Sequence, residues 1–264
     1  MAKYELIQPL VKAAVKSDNY IETVIKSPIT TVIYEFEAKD SNPVSLKIIP
    51  SPFQEWIICY NKNNSKSEFF YIGAQKKIKE ITLPHFDYYL GARFDDNGCF
   101  FNKGLDVYPA ILLDQTFSYS PDDDSLEHAF VLNLKKCRTH VDKVDAFKSF
   151  LKTAKQLYPV SETAGKMMAF AKNFKGNITV AKLSESFEYS VRQTTRIFNE
   201  SIGFGPKEYF NILRFNEAVR RLCESPNSNI AELINGLCYS DDSHFLRSFK
   251  AYTGLSVKEF IKLM

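Results

Sequence analysis

Residues 238–254 read CYSDDSHFLRSFKAYTG, two carboxylates, an imidazole, a guanidinium and an ammonium set among phenylalanines four positions apart. Groups of these types can serve a catalytic pocket, a solvated helix surface or donor–acceptor contacts to base edges and phosphates. The choice turns on whether the pattern stands alone. It does not: Phe249 follows Phe198 by 51 residues, Gly254 follows Gly203 by 51, and Ser256 stands 51 after Gly205. A pattern repeated in order is a duplicated structural unit before it is a catalytic constellation.

Other chemistry is thinly supplied. No carboxylate pair, nucleophile set or metal cluster stands out, so an enzyme is the least favoured class and no cofactor is expected. Five cysteines, Cys59, Cys99, Cys137, Cys223 and Cys238, are scattered without a C-x-x-C pair and read as plain thiols. His85, His128 and His140 lack the close spacing of a facial metal site. No metal is expected.

Each copy needs elements that hold its polar residues outward. In the first, Ser190 and Gln193 fit a capping box that opens a helix, with Gly203 as its exit. In the second, Asn229-Ile230-Ala231-Glu232 opens a short helix, Asp241 caps the next, and Ser256 with Glu259 forms another box. Pro206 suits a first helical position and starts PKEYFNILRFNEAVRRLCE, a connector of about 17 residues or roughly 26 Å. A short helix, a tight turn and a capped second helix make a helix-turn-helix unit. Leu183, Phe187, Ile197 and Phe198 supply one core; Leu233, Leu237, Tyr239, Phe245 and Phe249 supply the other.

The rest of the chain follows a different pattern. Segments TTVIYEFEA, VSLKIIP, EWIICYN, EFFYIGA, KKIKEITL and YYLGARF are rich in β-branched and aromatic residues and separated by turn formers, with Asp96-Asn97-Gly98 as one tight turn. They predict a β-rich sandwich or barrel. Then Val144, Phe147, Leu151, Ala154 and Tyr158 recur at helical spacing up to Pro159. This amphipathic helix either packs on its own β domain or forms a dimer contact. We place a sensing and dimerisation domain at 1–160 and an all-α domain at 161–264, an α+β chain overall.

Bulk properties agree. The 264 residues are 45% hydrophobic and 25% charged, enough for substantial cores. No run is apolar and long enough to span a membrane, and the opening residues lack a leader pattern, so a cytoplasmic location is expected. Residues 1–160 hold 20 basic and 20 acidic side chains; residues 161–264 hold 14 and 11. The net charge of +3 therefore lies wholly in the helical part. Nucleic acid, if bound, would meet positioned charges rather than a diffuse field.

Residues 178–264 resemble the double helix-turn-helix domain of the AraC/XylS transcription regulators, through LSESFEYSVRQTTRIFNESIGFGPKEYFNILRFNEAVRRL and IAELINGLCYSDDSHFLRSFKAYTGLS. The N-terminal half more weakly resembles the cupin-like sensing domains fused to such readers. The resemblance implies double-stranded DNA as partner, a homodimer, a small-molecule or protein effector, RNA polymerase if the protein activates, and no membrane. Arg192, Thr195 and Arg196 match base-edge or groove positions on the first recognition helix; Asp242, Ser243, Leu246 and Arg247 occupy the matching face of the second. Lys182 and Lys250 are phosphate candidates. Asp242 could instead orient Arg247, and His244 reads better as a capping residue than as a reader. Tyr60, Tyr71, Tyr88 and Arg93 could line an effector cavity or simply fill a core. A DNA-bound adaptor that recruits another protein is the alternative function.

Several residues depart from the family. Glu188 and Cys238 stand at glycine positions of the bends, Thr194 replaces a core leucine, Val257 a proline and Ile261 an arginine. Glu188 and Thr194 make the first unit the less typical one. Its core is expected to be softer, or its backbone to avoid positive φ.

Overall fold

The computed structural model describes residues 8–15, 20–26, 30–95, 98–100, 113–154, 157–159 and 161–264. The Asp96-Asn97 part of the expected tight turn lies outside them. The N-terminal part runs α1 (Pro9–Val15), β1 (Ile21–Ile25), β2 (Thr31–Glu37), β3 (Val44–Ile48), β4 (Gln54–Tyr60), β5 (Ser67–Ile72), β6 (Lys79–Leu83), β7 (Tyr88–Phe94), β8 (Gly98–Phe100), β9 (Thr116–Tyr119), α2 (Leu126–Leu134), α3 (His140–Ala154) and β10 (Leu157–Pro159).

Six strands form an antiparallel sheet in the order β1-β2-β7-β4-β5-β9. On one face Trp56, Ile58, Leu90, Ala92 and Phe94 meet Phe130, Phe147, Phe150 and Leu151 of α2 and α3. On the other, Tyr34, Phe36, Ile57, Cys59 and Tyr89 meet the β3–β6 ribbon and α1. The result is a sandwich. Because both faces are covered, β4 and β7 are buried almost continuously instead of alternating. Gly91 permits the stacking: a Cβ there would lie 1.9 Å from the Tyr34 ring.

The amphipathic helix departs from its expected span. It ends at Ala154, and Tyr158 belongs to β10, paired with Cys99 of β8. Phe147 and Leu151 are buried against their own sheet, so the stripe is used within the domain. The side chain of Ala154 lies outside the described residues.

The helical part comprises α4 (Glu162–Asn173), α5 (Val180–Ser186), α6 (Val191–Ile202), α7 (Pro206–Glu224), α8 (Ile230–Ile234), α9 (Asp242–Thr253) and α10 (Val257–Leu263). Two cores flank α7. Phe198, Tyr209, Phe210 and Leu213 pack with α4 and α5 in one, and Phe215, Val219, Leu222, Phe245, Phe249 and Phe260 fill the other.

The two parts are joined by specific contacts. Asn216, buried midway along α7, donates from Nδ2 to Pro50 O at 2.8 Å. The Ile78 amide donates to Tyr252 O in the last turn of α9 at 2.8 Å. Leu10 and Ile49 enter the core around Phe215, and Ala74 enters the one around Phe198.

Candidate nucleic-acid interface

The two bends share a capped first helix and a left-handed residue, and the second also turns through Gly236 at φ 72°. In the first, Thr179 caps α5 by accepting from the Lys182 amide, and Phe187 and Glu188 turn the chain into α6. In the second, Asn229 caps α8 by accepting from the Glu232 amide at 2.8 Å. Glu188 has φ 59° and Cys238 φ 50°, so neither bend avoids the left-handed region, contrary to one of the two sequence-based alternatives. Each side chain accepts a conformation that glycine would take without strain.

The helices that follow are capped as their sequences dictate. Ser190 Oγ accepts from the Gln193 amide at 3.2 Å, and Gln193 Oε1 accepts from the Ser190 amide at 2.9 Å. Asp241 Oδ1 accepts from the His244 amide at 2.7 Å. That amide bond, the Ser240 hydroxyl and the nearby Arg247 and His244 hold the Asp241 carboxyl below the usual range. His244 Nδ1 lies 3.3 Å from the Ser240 amide, so the imidazole is tied to the start of its helix. Ser256 and Glu259 close a third box on α10, the Ser256 amide donating to Glu259 Oε2 at 2.7 Å. Gly203 and Gly254 end α6 and α9 at φ 83° and 69°.

With one face of α6 and α9 held in the cores, the opposite faces stand open. Arg192, Arg196, Asp242, Ser243, Leu246, Arg247, Lys182 and Lys250 are exposed, and Thr195 is half-buried. Thr195 Oγ1 donates to Val191 O at 2.8 Å, which leaves the oxygen free to accept. Arg196 faces Glu200 at 3.9 Å and Lys182 faces Glu185 at 3.2 Å, both exposed pairs of little energetic weight. No hydrogen bond or ion pair joins Asp242 to Arg247 among the described residues.

Several other basic residues are spent internally. Arg214 donates to Gly176 O at 2.7 Å, and Arg221 to Leu233 O and Asn235 O at 3.1 and 2.7 Å, clamping α7 to both units. Glu217, buried at the centre, accepts from Lys175, Arg220 and Arg221 at 2.6, 2.8 and 3.1 Å. Burial alone would raise its pKa; the hydrogen bonds from these cations overcome that and bring it to about 2. Asn177 Nδ2 donates to Gly236 O at 2.6 Å, a direct tie between the units. α7 itself has 19 residues, about 28 Å at the usual rise.

The Glu217 pairs with Arg220 and Arg221 are local, three and four residues apart on one helix. The ties from Arg214, Lys175 and Asn177, and from Arg221 to the second unit, join positions set together only by the completed fold. Of the aromatic and cationic cavity candidates, Tyr60 and Tyr88 border an open basin. Tyr71 lies in the sheet core, stacked on Phe117 at 4.9 Å. Arg93 is fully buried, 3.2 Å from Glu55 and over the Tyr34 ring at 4.3 Å. Among the described residues, no group of three or more His, Cys, Asp or Glu could hold a metal ion, and no helix is long and apolar enough to cross a membrane.

Residues 183–262 match the family model described as a helix-turn-helix domain, so this is the class of the C-terminal part. Among curated proteins, the chain is similar to the uncharacterized HTH-type transcriptional regulator YisR of Bacillus subtilis (strain 168), 27% identical over 92 residues. That match covers 35% of this chain and 32% of the relative, about a third of its length. Among solved structures, ToxT from Vibrio cholerae aligns over 89% of this chain and 98% of its own, with TM-score 0.49 and 12% identity. Unsaturated fatty acid bound wild-type ToxT from Vibrio cholerae aligns over 92% and 98%, with TM-score 0.46 and 10% identity.

Proposed function

We propose that the protein is a sequence-specific double-stranded DNA-binding transcription regulator, controlled through its N-terminal domain by an effector or partner. The observation that carries this reading is the pair of capped helices, α6 and α9, with open faces and Arg196 and Arg247 at equivalent positions. A capped helix projecting from a small core is the form that enters a major groove. Arg192, Thr195 and Arg196 read one half-element; Ser243, Leu246 and Arg247 read the other, with Asp242 accepting from a cytosine amine. Arginine suits guanine O6 and N7 through two parallel donors, and Leu246 suits a thymine methyl. Lys182 and Lys250 bind phosphates and raise affinity without choosing sequence. The connector of about 28 Å is commensurate with readers one duplex turn, about 34 Å, apart. An activating role would bring it to RNA polymerase, and a second copy of the chain is a candidate partner.

The test is selection of duplexes from a random library by the full-length protein, with Arg247→Ala alongside. The expected result is a site of two separated half-elements, one of them weakened in the variant. If no sequence is enriched at low or moderate salt, the chain does not read DNA on its own.

A further inference from the structure

At one end of the sheet, Glu37, Tyr60 and Tyr88 stand side by side in register, where β2, β4 and β7 meet the corner between α2 and α3. Together they border a basin of about 560 Å3. Its charge is one-sided. Lys62 comes from the turn after β4; Lys135, Lys136 and Arg138 come from the α2–α3 corner; Lys143 comes from the first turns of α3. Glu37 is the acid among the lining residues.

The cations divide into two sets. Lys143 is paired with the buried Glu35 and lies 5.4 Å from the centre of the Tyr88 ring. Lys135 donates to Asn64 O. Lys62, Lys136 and Arg138 make no side-chain hydrogen bond or ion pair among the described residues. The acids just outside are already engaged by main chain: Asp142 accepts from the Arg138 and Thr139 amides at 3.1 and 2.9 Å, and Asp87 from the Lys62 amide at 3.0 Å. Behind the charges, Tyr60 and Tyr88 stack at 5.4 Å and offer a flat wall. Three open cations from two distant segments converge on a concave floor, with two held cations behind them.

We infer that this basin binds a multiply charged small organic anion, a phosphorylated or polycarboxylate compound, and that such an anion is the effector. The second part rests on the regulator reading above; the first does not. A single negative charge gains little from exposed lysines in salt solution. Two or more charges engage several cations at once, with Arg138 able to grip two oxygens in parallel. Binding there would bridge the α2–α3 corner to the strand ends.

The experiment titrates the full-length protein calorimetrically with inorganic pyrophosphate and, separately, citrate, at ionic strength fixed with sodium chloride. One saturable site for at least one anion is expected; which of the two binds tells phosphate from carboxylate chemistry. Lys136→Glu combined with Arg138→Glu should weaken it about tenfold or more, whereas Arg192→Ala with Arg196→Ala should leave it unchanged. Lys62→Gln, a milder change, should weaken it in the same direction, and thermal melts establish that each variant folds. No saturation by either anion, or loss in the reader variant but not the basin variant, would overturn the site. Anion binding without duplex enrichment would overturn only its role as effector site; enrichment without anion binding would overturn the site and leave the DNA reading intact.

Discussion

The first helix-turn-helix unit buries Thr194 where the second, 51 residues on, buries Phe245. Ser184 Oγ donates to Val180 O at 2.8 Å and lies 2.9 Å from Thr194 Oγ1, so that core contains a hydrogen-bonded pair of hydroxyls. Phe245 sits instead among Leu233, Leu237, Phe249 and Phe260. The outer faces differ in the opposite sense: α6 exposes Arg192 and Arg196 without an acid in its first turn, while α9 exposes Arg247 beside Asp241 and Asp242. The same frame thus carries a more polar core under a more cationic face, and a more apolar core under a mixed face. Duplicated units can diverge in packing and surface independently once the caps and bend are kept.

The largest test of that contrast is in the second core. Phe249→Ala should cost about 3–5 kcal/mol of stability, read from denaturant melts. A loss below that of Thr194→Ala would overturn the ranking of the two cores.

Glu217, which both units share through α7, comes next. Its folded pKa of about 2 lies below the ordinary value near 4.3. Its contribution is therefore complete above about pH 4.3 and drains away as pH falls toward 2. Glu217→Gln should remove about 2–3 kcal/mol at pH 7 and flatten the acid limb of the stability curve. An unchanged acid limb would show that the cluster is not a stability centre.

On the faces, Arg247→Ala should cost about 1–3 kcal/mol for the selected site and relax sequence preference in one half-element. Arg196→Ala tells reading from holding: a phosphate contact lowers the salt slope by about 1 across all sequences, whereas a base contact changes only one half-element. The smallest effects belong to the bends. Glu188→Gly and Cys238→Gly should each raise stability by about 0.5–1 kcal/mol by relieving positive φ, while Cys238→Ala should not. Equal melts for Gly and Ala at 238 would sink the strain argument.

Much of this frame could be read in the sequence because its determinants are local. Ser190 with Gln193, Asp241, Ser256 with Glu259, and the exits Gly203 and Gly254 act within three or four residues of themselves. The strands from β2 to β7 declared themselves through β-branched and aromatic runs. Elements whose identity depends on distant partners did not. β1 alternates weakly and exposes Ile21 and Val24, and β9 is fixed by pairing Phe117 with Tyr71. Helix α2 hides behind Pro121-Asp122-Asp123-Asp124, with Ser125 as its cap. Tyr158 continued a helical rhythm that pairing with β8 interrupts. Arg93 looked like a ligand group and is a buried counter-ion, because Glu55 faces it across the β4–β7 ladder.

The contact of Asn216 with Pro50 grips α7 at its middle, and that of Ile78 with Tyr252 grips α9 at its end. Those two anchors span the joint between the connector and the second reader. On the DNA reading proposed above, a duplex that demanded a different angle at that joint would strain or release one anchor, so that site geometry and domain docking would share one free energy. By reciprocity, if docking at these anchors changed the affinity of the proposed reader for a site, that site would change the docking by the same free energy.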